Sequence, residues 1–95
     1  MRLLDRHIVY GPPGTAVVAR VDAACDGILC SVKQGAVDVF MGSFGKDVGS
    51  PPDLHFGQTN YPNWVPIPLG SYEFTLVAAG PANPVIASVW FVELG

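Results

Sequence analysis

From residue 16 to residue 24 the chain alternates, with Val17, Ala19, Val21 and Ala23 on one side and Arg20 and Asp22 on the other. A period of two is that of a half-buried β-strand. The valines favour strand over helix, as does the Asp26-Gly27 that follows, a dipeptide suited to a type I′ hairpin turn. A return strand is expected over 28–33, a turn at Gln34-Gly35, and a further strand in which Val37, Val39 and Met41 share a face. Short apolar runs over 53–56, 64–69, 72–79 and 85–94 complete the set. The last is too apolar to dangle in water and must be built into a sheet. Pro62, Pro66 and Pro68 remove ladder donors, which confines their segment to an edge strand and discourages edge-to-edge aggregation.

Glycine and proline mark the interruptions. Gly11-Pro12-Pro13-Gly14 forbids continuous sheet and ends any early strand over 7–10, so residues 1–14 read as an extended N-terminal arm and residues 15–95 as the domain. The stretch 43–52, with Gly45, Gly49, Pro51 and Pro52, reads as a loop of about ten residues, near the upper end for a compact domain. There is no internal repeat and no helical periodicity of useful length. The class is all-β: a single small antiparallel β-sandwich or jelly-roll-like barrel of roughly six to eight short strands.

Composition sharpens this picture. The 95 residues form one domain, with 49% hydrophobic and only 14% charged side chains, against about 25% charged in an ordinary soluble domain. So little ionic surface implies apolar patches covered by a partner or by self-association. The net charge is −3, and the basic residues Arg2, Arg6, Arg20, Lys33 and Lys46 are scattered. Nucleic acid binding, which needs clustered cations to displace phosphate counterions, is not expected. No window approaches a membrane-spanning length of apolar residues, and Met1–His7 lacks the apolar centre of a secretion signal, so neither membrane insertion nor export is expected.

The chemistry-bearing residues are few. Cys25 and Cys30 flank the Asp26-Gly27 turn; across such a hairpin their sulfurs lie diagonally, beyond comfortable disulfide reach, and two buried thiols are expected. With only His7 and His55 besides, the pair is not a zinc motif. Asp53 and His55 alternate on one strand, two members of a relay or metal site that lack a third. Residues 42–46, Gly-Ser-Phe-Gly-Lys, echo a phosphate loop without its full spacing or a following helix. No catalytic residue, metal or cofactor is therefore assigned. Tyr61, Trp64 and Tyr72 surround the proline-rich loop as aromatic anchors for a protein interface. With Gln58, Asn60 and Asn63 beside them, they also suit an alternative role as a glycan-stacking platform. Leu3, Leu4, Ile8 and Tyr10 make the arm too apolar for an idle tail and join the candidate interface.

The run 28–42, the step Val65-Pro66-Ile67-Pro68-Leu69-Gly70, the strand Phe74–Gly80 and the closing Ala87–Leu94 together resemble small β-sandwich virion proteins of tailed bacteriophages. The shared features are apolar spacings: a V-x-V-x-x-G strand, a loop, a P-L/I-x-G step, an L-x-A-x-A-like strand and a final strand. The prolines of 62–68 depart from that pattern. The resemblance implies a non-enzymatic capsid decoration or cement subunit, made in the host cytoplasm and carried on the virion. Its partners would be the major capsid protein or another virion protein, and it would form a homo-oligomer, trimer or dimer.

Overall fold

The computed structural model describes residues 1–41 and 51–94. Among them the fold is all-β, with six strands: β1 (Arg2–Gly11), β2 (Ala16–Gln34), β3 (Ala36–Met41), β4 (Leu54–Gly57), β5 (Asn63–Ala79) and β6 (Val85–Glu93). They form one antiparallel sheet in the order β1-β6-β2-β5-β3-β4. The phosphate-loop echo at 42–46 and most of the predicted loop 43–52 lie outside the described residues.

The two long strands are the spine, and each takes part in two halves of the sheet. The first stretch of β2, Ala16–Val21, pairs with Val77–Tyr72 of β5, whose other side carries β3 and then β4. The last stretch of β2, Gly27–Gln34, pairs with β6, its Gly27–Cys30 part lying between β6 and the first stretch of β5, and β6 in turn carries β1. Register shifts at Val21/Cys25 and Cys25/Gly27 separate the halves. Across these bulges the buried positions of β2 change from odd (Ala19, Val21, Cys25) to even (Ile28, Cys30, Val32). On β5 they change from Ile67 to Phe74, Leu76 and Ala78. The bend lets the two halves share one core, in which the Phe74 and Phe91 rings stack at 4.5 Å.

Two expectations are corrected here. Asp26-Gly27 is not a hairpin turn: β2 runs straight through it, and Gly27 is not among the glycines with positive φ. Glycine is needed there for close approach instead, since a Cβ at Gly27 would lie 2.9 Å from a Val92 methyl and 3.3 Å from the Leu94 side chain. The second correction concerns residues 1–14. They are not an arm outside the sheet: Arg2–Gly11 pairs with β6 from Glu93 to Val85, and Val9 is fully buried. Gly11-Pro12-Pro13-Gly14 does end a strand, and it carries the chain from one half of the sheet to the other, where Gly14 N–H donates to Ala78 O at 2.8 Å.

Other expectations hold. Gly35, at φ +85°, is the one-residue corner between β2 and β3. The proline-bearing stretch of β5 pairs only with β2, so among the described residues it is a sheet margin. The predicted last strand is β6, central rather than peripheral in its half.

Candidate interaction surface

Strand β6 is buried between neighbours on both edges, and its two faces are both apolar. Val85, Ala87, Val89 and Phe91 point into the core. The alternate positions Ile86, Ser88, Trp90 and Val92 belong to the outer face of the β1-β6-β2-β5 half. Register then assembles that face row by row. Arg6 pairs with Trp90, Trp90 with Leu29, and Leu29 with Trp64, so one row crosses all four strands. The next row holds Ile8, Ser88 and Ser31, and beyond it Tyr10 stands beside Ile86. In the opposite direction Leu3 and Pro66 are exposed at the two ends of a row whose middle, Val92 and Gly27, is buried, with the Leu94 side chain beside Gly27.

The result is an apolar plate, half-buried along its centre at Trp90, Leu29 and Ile86 and open to water at its margins. Leu3, Ile8 and Trp64 are each 56% exposed and Tyr10 is 64% exposed, values far above those of core side chains. The Arg6 guanidinium lies 5.6 Å from the centre of the Trp90 ring, within cation–π range. At one margin Arg2 pairs with Glu93 at 3.5 Å, and Lys33 is exposed at the end of β2. The Asp26 carboxylate accepts the Leu94 N–H at 2.6 Å, holding the chain end across β2. The outer face of the other half is ionic by contrast. There Arg20 pairs with Asp22 at 3.1 Å and His55 Nδ1 with Asp38 at 2.5 Å, and Glu73 stands opposite Arg20.

The sequence-derived interface residues divide. Leu3, Ile8, Tyr10 and Trp64 come together on the plate, and Tyr61, 67% exposed, lies in the loop that enters β5. Leu4 turns inward and packs against the core, because the register shift between Leu3 and Asp5 reverses the alternation. Tyr72 also packs against the core, with its ring 5.2 Å from that of Phe74 and its hydroxyl donating to Pro68 O. It does not stand beside Trp64, and Asn63 Nδ2 is turned toward Thr59 Oγ1 at 3.4 Å. Leu29, Ile86 and Trp90 were missed. The signal was available in 85–92, where both odd and even positions are apolar, the mark of a strand covered on two sides.

No family model, curated protein or solved structure matches this chain.

The remaining polar groups are engaged in structure. The Asp53 carboxylate accepts the Met41 N–H at 2.6 Å while His55 faces Asp38, so Asp53 and His55 do not converge. No cluster of three metal-ligating side chains occurs among the described residues. An open cleft of about 310 Å³ at the bend is lined by Arg20, Val21, Asp22, Ser71, Tyr72 and Glu73, and there the Ser71 hydroxyl donates to Asp22 O at 3.0 Å. Cys25 and Cys30 are buried and free. Burial pushes both thiols up, Cys30 to about 12. Among the described residues no helix is long and apolar enough to cross a membrane.

Proposed function

We propose that the protein is a non-enzymatic structural subunit that works by assembly, with the apolar plate as its docking surface. The observation that carries this reading is the register-aligned row Trp90–Leu29–Trp64, flanked by the exposed Leu3, Ile8 and Tyr10. A folded monomer gains nothing by holding Leu3, Ile8, Tyr10 and Trp64 in water. Covering roughly 500 Å² of apolar surface is worth about 12 kcal/mol gross, enough to offset an association cost of about 4–15 kcal/mol only when packing is good. The sequence resemblance supplies the setting: a capsid decoration or cement subunit of a tailed bacteriophage, bound to the major capsid protein or another virion protein. The glycan alternative loses support, because Tyr72 is committed to the core and the three aromatics do not share a platform.

The test is co-sedimentation with heads assembled from a tailed-phage major capsid protein. Saturable binding that weakens about 30-fold or more in Trp64→Ala or Ile8→Ala, the effect of losing an interface hot spot, is the expected result. Binding indifferent to plate substitutions would overturn the reading, as would reproducible glycan-array binding that disappears in Trp64→Ala.

A further inference from the structure

We propose that the plate is the contact face of a two-fold symmetric homodimer, in which each copy lays its Trp90–Leu29–Trp64 ridge into the serine trough of the other. The inference rests on the assembly reading above and takes a second copy, rather than a virion protein, as the occupant of the plate.

Relief is the first argument. Trp90, Leu29 and Trp64 put three large side chains in one row, and the adjacent row has two small side chains side by side, Ser88 and Ser31, next to the exposed Ile8. Neighbouring rows lie two residues apart along each strand, which is about 7 Å, enough to seat an aromatic ring. A two-fold axis parallel to the rows and midway between ridge and trough carries each onto the other. Such a surface is complementary to itself, which is what an isologous contact requires.

Area is the second argument. Strands about 4.8 Å apart and three open rows about 7 Å apart present, with their margins, roughly 400–500 Å². Two copies then bury about 800–1,000 Å², below the standard size of specific interfaces and just above most crystal-packing contacts. A weak, reversible dimer follows, rather than an obligate one.

Charge is the third. Each copy carries a net charge of −3, so association must keep carboxylates apart. Asp22, Asp38 and Glu73 belong to the other half of the sheet, and on the plate half Glu93 is paired with Arg2, Asp5 with His7 and Asp26 with the Leu94 N–H, so each carboxylate there already has a partner. On the plate itself, the Arg6 charge is partly satisfied over Trp90, and Lys33 sits at a corner, in water. The contact is therefore hydrophobic in character, and added salt should strengthen it slightly by screening the repulsion between like-charged copies.

Sedimentation equilibrium of the full chain between about 1 and about 100 µM, bracketing an interface of this size, tests the inference. The expected result is a monomer–dimer equilibrium that is not weakened by salt. Trp64→Glu and Ile8→Glu should each raise the dissociation constant at least 30-fold, about the hot-spot threshold, with unchanged circular dichroism. Trp64→Ala serves as a gentler second variant, and Val18→Glu, on the ionic outer face, should leave the dimer intact. A monomer throughout, a trimer, or a dimer untouched by these plate substitutions would overturn the proposal. The dimer and the docking reading fail separately. A monomer that binds heads through the plate removes only the dimer, and a plate dimer indifferent to heads removes only the virion role.

Discussion

Phe74 and Phe91 stack at 4.5 Å with their rings 16° from parallel, although their strands, β5 and β6, are not hydrogen-bonded neighbours. The pair joins the two halves of the bent sheet. His7 adds an edge-on contact, its ring 5.8 Å from that of Phe91, and Tyr72 flanks Phe74 from the other side.

Removing either ring should therefore cost more than any other single truncation of the core. Both side chains are fully buried, and Phe→Ala at such sites costs about 3–5 kcal/mol. Urea denaturation of Phe91→Ala should show a loss in that range with little change in slope. A loss below about 1 kcal/mol would mean that the halves are held elsewhere.

Deleting residues 1–14 should abolish the fold. The deletion removes β1 and the buried Val9, strips Leu4 from the core and leaves β6 unpaired along one edge. A domain of this size has only about 5–15 kcal/mol of stability to lose. A truncated chain that keeps β-type circular dichroism and a cooperative melt would show β1 to be dispensable.

At Gly27 two effects oppose each other. Replacing glycine by alanine gains about 0.4–1 kcal/mol by restricting the unfolded chain. The new Cβ would meet a methyl of Val92, itself fully buried and stiff, at 2.9 Å, and overpacking of this kind costs about 1–3 kcal/mol. The clash should win, so Gly27→Ala is expected to be destabilised by about 1 kcal/mol or more in chemical denaturation. A neutral or stabilised variant would show that Val92 and Leu94 move aside.

Trp64 and Tyr72, both candidates for a shared aromatic site, should separate by assay. Tyr72→Ala, which loses a core contact and the hydroxyl bond to Pro68 O, should lower stability by about 2–4 kcal/mol. Trp64→Ala should leave monomer stability within about 1 kcal/mol and act on assembly alone. The opposite pattern in thermal melts would place Trp64 in the core.

Alkaline pH should expose the state of Cys30. Its thiol is raised from 9.0 to about 12 by burial, so the folded chain keeps a proton that the unfolded chain releases. Stability from this group is complete below about pH 9 and falls as pH rises toward about 12, because there the unfolded state binds fewer protons. Cys30→Ala should show a shallower alkaline loss than the parent in the same titration. Thiol reagents at neutral pH should modify the native chain slowly and the denatured chain fast; equal rates would contradict the burial.

Sequence by itself determined the class and much of the inward-facing set. Ala19, Val21, Val37 and Val39 are buried as predicted because period-two alternation is a local property of a pleated backbone. Ala23, predicted on the same side as Val21, is instead exposed because the register shift after Val21 breaks the alternation. The prolines likewise placed Pro66 and Pro68 at a sheet margin, because a missing N–H cannot be supplied by any partner. Tertiary structure decided the rest. Asp26-Gly27 forms a hairpin turn only if its flanking segments pair with each other; here β5 and β6 pair with them instead, so the chain runs straight. Leu3 points to water and Leu4 to the core because of one register shift against β6, and a single-residue slip exchanges the two faces of a strand. The plate exists for the same reason. Trp90, Leu29 and Trp64 are far apart in the chain, and only long-range register, set by the packing of the whole sheet, brings them into one row.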